Sequence, residues 1–521
     1  MVRGIRVKPA SACEIMDIAR LAETLLAYRG ALEWLTVGVA IVIFVSSVDD
    51  FFIDVYYWIR RALRRIFIRT RHPPLPIAKL LEKPEEPIAI MVPAWKEAEV
   101  IASMLWTNIE LIRYRNYHFF VGAYQNDPAT AAEVAKVAAH YPNVHCVTVP
   151  HDGPTNKADC LNSIIAGIRA FEQERGIEFV GIAMHDAEDI VHPLELRFFN
   201  FLIGRKDLIQ LPIFSLRCPP TALVAGTYMD EFAEWHSKDL VVRESMTGTV
   251  PCAGVAACFS RRAIKALSEE TGGEPFNTST LTEDYDIAFR LKKLGMKEVF
   301  VRFSVKQAVE AKRGGGLELT ERHAPIATKE YFPSAFVAAY RQRARWILGI
   351  AFHGWKSIGW RASWPGRYFL LRDRKTIITS PANMVAMFLV VQFMLVEAAL
   401  EVLPSAPRVA TIFETSPTMQ TLMLINFGFL LLRLFHRVYF TSHIYGGLHG
   451  LMAIPRLLIS NLINYFAVSR AIGVYVDSKL TGRKIVWDKT THTFPTGHGS
   501  AVVPTPKAEP EGHQMPTATA H

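Results

Sequence analysis

The sequence predicts an α/β domain on a mostly parallel sheet, set between membrane helices. Three observations predict it. Half of the 521 residues are apolar, the mean hydropathy is positive and only 21% are charged, more apolar than an ordinary soluble domain. Long uncharged runs stand near both ends of the chain. Between them about 300 residues, enough for a sizeable core, alternate short apolar runs with helix-patterned intervals.

Charge and cysteine usage narrow the class. The 58 basic and 49 acidic residues leave a net +9 that is spread along the chain. With no basic arm, a nucleic-acid partner is not expected, and the excess fits the positive bias of cytoplasmic loops. Cys13, Cys146, Cys160, Cys218, Cys252 and Cys258 form no CxxC pair, which argues for reduced thiols rather than a zinc site or disulfide framework. The first apolar stretch begins only near Ala31 and ends in no small-residue cleavage site, so secretion of a soluble product is not expected.

The membrane elements follow in order. Residues 34–48 form a first span, trailed by an aromatic girdle (Phe51, Phe52, Ile53, Tyr56, Tyr57 and Trp58). Arg60, Arg61, Arg64, Arg65, Arg69 and Arg71 then place that end in the cytoplasm. Residues 376–396 and 415–432 qualify as spans outright. Residues 451–476 are interrupted by Arg456, Arg470, Asn461 and Asn464, which favours a helix at the interface or packed on other helices. Three crossings return the chain to the cytoplasm. The tail from Gly497, rich in Pro, Ala, Thr and His, predicts no packed structure. The expected units are therefore a membrane helix with an interfacial segment (1–72), a cytoplasmic catalytic domain (73–350), interfacial and transmembrane helices (351–480) and a cytoplasmic C-terminal segment (481–521).

Within the central unit, residues 87–93 (PIAIMVP), 119–124 (FFVGAY), 144–149 (VHCVTV) and 179–184 (FVGIAM) read as buried strands. Helical patterns fill 97–112, 129–140 and 158–171. This order predicts ligand residues at the carboxyl ends of the strands. The first strand ends at Pro93 and Glu97, the second at Asn126 and Asp127, and the fourth at Asp186, Glu188 and Asp189. None of these turns has the glycine-rich fingerprint that admits a pyrophosphate, so a phosphate there needs a cation. Carboxylates spaced as Asp186-x-Glu188 fall on one side of an extended segment and suit Mg²⁺ or Mn²⁺ bridging a diphosphate; a solvated acidic turn is the plainer alternative.

With these turns in view, the stretch 87–348 resembles the inverting family 2 glycosyltransferases of GT-A fold, the group of cellulose, chitin and hyaluronan synthases. Asn126-Asp127 is similar to the nucleotide-contacting aspartate after the second strand. Asn156-Lys157-Ala158-Asp159-Cys160-Leu161-Asn162 is similar to the family's K-A-x-x-L-N segment. Asp186-Ala187-Glu188 stands where the family has its metal-binding DxD; Glu for the second Asp leaves open whether Glu188 or Asp189 touches the metal. Thr282-Glu283-Asp284 resembles the TED motif, which implies Asp284 as catalytic base, a role for which a carboxylate within reach of the acceptor hydroxyl is suited. Glu283 and Asp284 equally suit the N-terminus of a helix over 285–294. Gln342-Arg343-Ala344-Arg345-Trp346 matches the QxxRW signature of polymerising members. Helical spacing puts Gln342, Arg345 and Trp346 on one face, where an Arg can pair with a leaving diphosphate and a Trp can offer its ring to an acceptor sugar; an interfacial amphipathic helix is the alternative. Trp487-Asp488-Lys489-Thr490-Thr491-His492 resembles, more loosely, the segment after the membrane helices that reaches back over the nucleotide, and equally suits an interfacial anchor.

The resemblance implies a single displacement with inversion. Asp186 and Glu188 would hold Mg²⁺ or Mn²⁺ on a UDP-sugar and Asp284 would act as base. The substrate contacts implied are Pro93, Glu97, Asn126, Asp127, Lys157, Asp159, Asp186, Glu283, Gln342, Arg345, Trp346, Thr490 and His492. The acceptor would be a growing exopolysaccharide or a lipid-linked sugar, made on the cytoplasmic face of a bacterial inner membrane, with an outer-membrane or export protein as possible partner. The runs Asp49-Asp50-Phe51-Phe52-Ile53-Asp54, Gly153-Pro154-Thr155-Asn156-Lys157 and His185-Asp186-Ala187-Glu188-Asp189 look like the glycosyltransferase part of bacterial NfrB proteins, inner-membrane components of a phage-receptor and exopolysaccharide system. Those proteins often add a nucleotide-sensing domain, for which this sequence offers no match, so cyclic-di-GMP control by that route is not expected. Two rivals remain: transfer of one sugar without polymerisation, and a catalytically silent membrane scaffold.

Overall fold

A computed structural model describes residues 12–71, 75–313, 316–403, 407–482 and 494. The chain opens with α1 (Ala12–Leu63), 52 residues that run through the expected first span and past its aromatic girdle. The expected limits at 34 and 48 are not helix ends, because no proline interrupts the stretch. A π-helical turn, Arg64–Ile68, carries the arginines onward.

After α2 (Ile77–Glu82) comes the α/β alternation: β1 (Ile88–Ala94), α3 (Ile101–Leu111), β2 (Tyr117–Tyr124), α4 (Pro128–Ala138), β3 (Val144–Val149), α5 (Lys157–Arg175) and β4 (Gly181–Met184). Every residue of β1 is buried, as expected for a strand covered on both faces. Met104, Leu105, Val134 and Val137 of α3 and α4 cover one face; Leu161, Ile164 and Ile168 of α5 cover the other. α5 lies so close that a Cβ on Gly122 would stand 2.6 Å from the Cys160 sulfur.

The second half follows as α6 (Glu195–Ile203), β5 (Leu208–Gln210), β6 (Ile213–Ser215), α7 (Leu223–Glu234), α8 (Leu240–Thr247), β7 (Ala257–Ser260), α9 (Arg261–Thr271), α10 (Glu283–Lys293) and β8 (Glu298–Phe300). The seven-stranded sheet has the order β3-β2-β1-β4-β7-β5-β8. Only β7 runs against its neighbours, pairing antiparallel with both β4 and β5. Because Met184 sits opposite Ala257, the segment entering β7 arrives at the edge where β1, β2 and β4 end. This is a GT-A-like sheet.

β9 (Ser304–Arg313) and β10 (Gly316–Pro325) form an antiparallel hairpin, and β11 (Thr328–Glu330) pairs with β6. Then come α11 (Phe336–Ile347), a π-helical turn Leu348–His353, α12 (Gly354–Ser357), α13 (Trp364–Arg374), α14 (Thr376–Val402), α15 (Ile412–Thr415), α16 (Pro417–Tyr445) and α17 (Gly447–Thr481). Among the described residues four helical stretches are long and apolar enough to cross a membrane: Ile18–Ile68, Thr376–Val402, Pro417–Tyr445 and Gly447–Thr481. The last includes the interrupted stretch of the sequence reading. Its Arg456 and Asn464 face α7 and α11, where Arg456 pairs with Asp230 at 3.1 Å and Asn464 accepts from Arg343 at 2.7 Å. Leu448, Leu451, Leu458, Val476 and Leu480 stay exposed. Thus α17 is packed on other helices along its polar side and keeps an apolar side free.

Candidate functional site

The turn after β1 is built around Asp127. Its Oδ2 accepts the Lys96 backbone N–H at 2.6 Å and its Oδ1 caps α4 through Thr130 N–H. Lys96 is left-handed, at φ 54°, and the Asp127 bond fixes that turn. Glu97 is buried and its backbone N–H donates to Thr130 Oγ1. Pro93 is a buried β1 residue opposite Gly122. Asn126 exchanges two hydrogen bonds with the Gly153 backbone, at 2.9 and 2.8 Å. Trp95 lies across Gly153 and edge-on to Tyr124. Asp159 accepts from Thr155 Oγ1 at 2.7 Å and stands 3.5 Å from His151 Nδ1. The β1, β2 and α5 residues singled out by sequence therefore stand together at the carboxyl edge of the sheet.

Asp186 and Glu188 do not lie on an extended segment. The chain curls because Asp189 Oδ2 accepts the Asp186 N–H at 3.0 Å while Asp189 N–H returns to the Asp186 carbonyl. Asp189 also binds His185 Nδ1 at 2.9 Å, and His185 Nε2 meets Glu195 Oε1 at 2.9 Å, all three fully buried. Although burial alone would lower it, the carboxylates of Glu195 and Asp189 push the His185 imidazolium up to about 10. Asp189 thus braces the turn through its Oδ2, and Glu188 is buried in the same turn.

Four elements converge on an acidic centre. Lys157, first residue of α5, puts its ammonium 2.6 Å from Asp186 Oδ1 and donates to the Gly254 carbonyl at 3.1 Å. Gly254, left-handed at φ 79°, leads toward β7; a Cβ there would stand 2.8 Å from Asp284 Oδ2 and 3.3 Å from Lys157 Nζ. Glu283 and Asp284 open α10, so they lie at its N-terminus and in the centre at once. Burial and the neighbouring Asp284 raise the Glu283 carboxyl to about 8, and burial raises Asp284 against the pull of Lys157. Lys157 is held above its ordinary value by Asp186, Glu283 and Asp284, which outweigh its desolvation.

The QxxRW residues sit on α11. Trp346 packs against Tyr228 and Phe232 of α7, at 6.2 and 6.3 Å between ring centroids, rather than standing free. Gln342 and Arg345 are half-buried beside it. One turn further, a Cβ on Gly349 would fall inside the Thr282 side chain, so α11 and its π turn abut the TED segment directly. Sequence reasoning missed Gly254, Gly349 and Arg343. A glycine just before the apolar run into β7 was the available signal for the first. Arg343, read only as a spacer, is buried on Glu231, Asn464 and Thr227 with its guanidinium 4.5 Å over Tyr228. Thr490 and His492 lie outside the described residues.

Among the described residues no three His, Cys, Asp or Glu side chains are grouped as a metal set. Asp186 and Glu188 nevertheless fit a divalent cation, being hard oxygen donors beside a position where a lysine ammonium already acts as stand-in cation; substrate oxygens and water supply the remaining ligands of such ions.

Residues 181–400 match the family model for glycosyl transferase family group 2. That match covers 220 of the 521 residues. Over 469 residues it is 44% identical to bacteriophage adsorption protein B of Escherichia coli K12, covering 90% of this chain and 63% of that protein. The same figures hold for bacteriophage N4 adsorption protein B of Escherichia coli O157:H7. This chain therefore spans about 63% of the length of these curated relatives, which are of the NfrB group that the sequence resembles. Among solved structures, a mannosyltransferase from Pyrobaculum calidifontis in complex with GDP-Man and Mn²⁺ aligns at 17% identity and a TM-score of 0.43, covering 83% of this chain and 99% of that one. The family match begins with β4, so the Asp186–Glu188 turn, Asp284 and α11 all fall inside it.

Proposed function

We propose that the chain is a membrane-bound inverting glycosyltransferase that transfers a sugar from a UDP-sugar to a growing exopolysaccharide at the cytoplasmic face of a bacterial inner membrane. The observation that carries this reading is the convergence of Asp186, Lys157, Gly254 and Asp284 at one sheet edge. Asp284, desolvated and raised, is the base. It takes the proton of the acceptor hydroxyl as that oxygen bonds to the anomeric carbon, and the bond from that carbon to the diphosphate breaks to release UDP. Asp186 and Glu188 would hold Mg²⁺ or Mn²⁺, which when bound offsets charge on the departing diphosphate. The cleft of Pro93, Glu97, Asn126, Asp127 and Asp159 takes the nucleotide, with Asp127 acting through the turn it braces. Gln342, Arg345 and Trp346 border the acceptor, Thr490 and His492 belong to a segment reaching back over the site, and residues 73–350 form the cytoplasmic unit.

A second reading rests on the name of the relatives: a role in phage adsorption, with or without catalysis. One experiment separates them. Purified, detergent-solubilised protein is given a panel of UDP-sugars with Mn²⁺ or Mg²⁺, and UDP release is followed. Release with one donor, lost in Asp284→Asn, supports the enzyme; product length then separates polymer from single transfer. No release and no metal-dependent UDP binding overturns it.

A further inference from the structure

Lys157 occupies the position that a divalent cation must use. Its ammonium sits 2.6 Å from Asp186 Oδ1, the more exposed carboxylate of the pair, and within the reach of Glu283 and Asp284. Its backbone is anchored independently of the ammonium, which holds Asp186 and the Gly254 carbonyl. Asn156 caps α5 through Asp159 N–H and ties to the Thr278 carbonyl at 2.7 Å, so the Lys157 backbone is held while a four-carbon stem carries the charge.

A divalent ion bonded to an Asp186 oxygen at about 2.1 Å would place three units of positive charge within a few ångströms if the ammonium stayed. The ion and the ammonium then compete for the same carboxylate. A diphosphate in the cleft supplies both what the metal lacks and what the displaced lysine needs: oxygens to complete the coordination shell, and anionic charge to receive the ammonium. Metal alone offers the lysine no new partner.

We infer that Lys157 is a resident counter-cation which competes with the divalent ion for Asp186 and yields to it only when a nucleoside diphosphate arrives. The lysine thereby orders the site: it keeps the acidic cluster neutralised between turnovers, and it makes metal binding conditional on the donor. Coupling of this kind is reciprocal, so the metal and the diphosphate strengthen each other's binding through the same residue. The inference rests on the glycosyltransferase reading, because it uses that reading's metal and diphosphate.

The test measures Mn²⁺ binding by electron paramagnetic resonance on the full-length, detergent-solubilised chain, with and without UDP. For Lys157→Met, Mn²⁺ affinity without UDP is expected to rise about tenfold or more, and the ratio of affinities with and without UDP to shrink correspondingly. Lys157→Gln, whose neutral amide can still donate to Asp186 and to the Gly254 carbonyl, is the second variant should three uncompensated carboxylates unfold the first; the same gain is expected. Lys157→Arg restores the charge and should return affinity and ratio toward wild type. Asp186→Asn in the Lys157→Gln background should abolish the gain. Wild-type binding of Mn²⁺ with UDP, but unchanged affinity and ratio in the neutral variants, overturns the inference and leaves the glycosyltransferase reading standing. A wild type that binds no Mn²⁺ even with UDP overturns both.

Discussion

Gly349 lies directly against Thr282, in a gap that admits no side chain. The contact joins the π turn after the QxxRW helix to the residue two places before the proposed base. Gly349→Ala must push the Thr282–Asp284 turn or α11 aside, at about 1–3 kcal/mol for overpacking. Thermal unfolding in detergent should show this loss together with reduced UDP release. Gly428→Ala, at a helical position with open space around its Cβ, should change neither.

The Asp49-Asp50 pair at the end of the first membrane stretch holds the start of the second. Asp49 accepts from Arg372 at 2.6 Å, Lys375 at 2.5 Å and Tyr368, and Arg372 continues to Asp239 at 2.9 Å. Asp373, next in the chain, binds Arg243 at 2.9 Å and Tyr285, neighbour of Asp284. Replacing Asp49 with Asn leaves two cations short of a partner. A cost of about 1–2 kcal/mol is expected, since the pairs are half-buried rather than fully desolvated. Arg372→Gln combined with Asp49→Asn should cost less than the sum of the single changes, as a double-mutant cycle on unfolding midpoints would read.

What could be read from the sequence, and what could not, divides along physical lines. β1, β2 and β4 were legible because buried strands give apolar runs that end in polar turns, whereas β3, expected to be buried, is an edge strand with only Val144 and Val149 buried. Asp186, Lys157 and Asp284 were legible as types at motif positions, yet their meeting was not, since Gly254 enters from an antiparallel strand about 100 residues away in the chain. The extended reading of Asp186–Glu188 failed because a local carboxylate, Asp189, captured the Asp186 N–H and curled the segment. Arg343 went unread because helical spacing assigns a face without saying what covers it.

Glu298, on the edge strand β8, sets a pH dependence. Its Oε2 accepts the Val250 N–H at 2.6 Å, and burial raises the carboxyl to about 8. With the folded value above the unfolded one, the folded state holds a proton that the unfolded chain has lost between about pH 4.5 and 8. Stability from this group therefore falls as pH rises across that window. Glu298→Gln keeps the acceptor and removes the charge. The variant should unfold at a higher temperature than wild type at pH 8 and at a similar one at pH 5, so the test is the difference between the two slopes of unfolding temperature against pH.

Arg343 and Arg345, two residues apart on α11, are expected to fail in different ways. Arg343 joins three helices: it pairs with Glu231 of α7 at 2.7 Å, donates to Asn464 of α17 and covers the face of Tyr228. Removing it takes the ion pair from the partly exposed Glu231, which keeps the Ser460 hydroxyl, and Arg343→Ala should cost about 2–3 kcal/mol. Arg343→Lys should recover only part of this, because one ammonium cannot reproduce a fork that serves three partners and a ring. Arg345 is half-buried on the side assigned to the acceptor and diphosphate. Arg345→Ala should reduce UDP release severalfold, beyond any loss of folded protein. Unfolding midpoints and initial rates measured on the same preparations separate the two roles; a turnover loss in Arg345→Ala that merely tracks lost folded protein would remove Arg345 from the site.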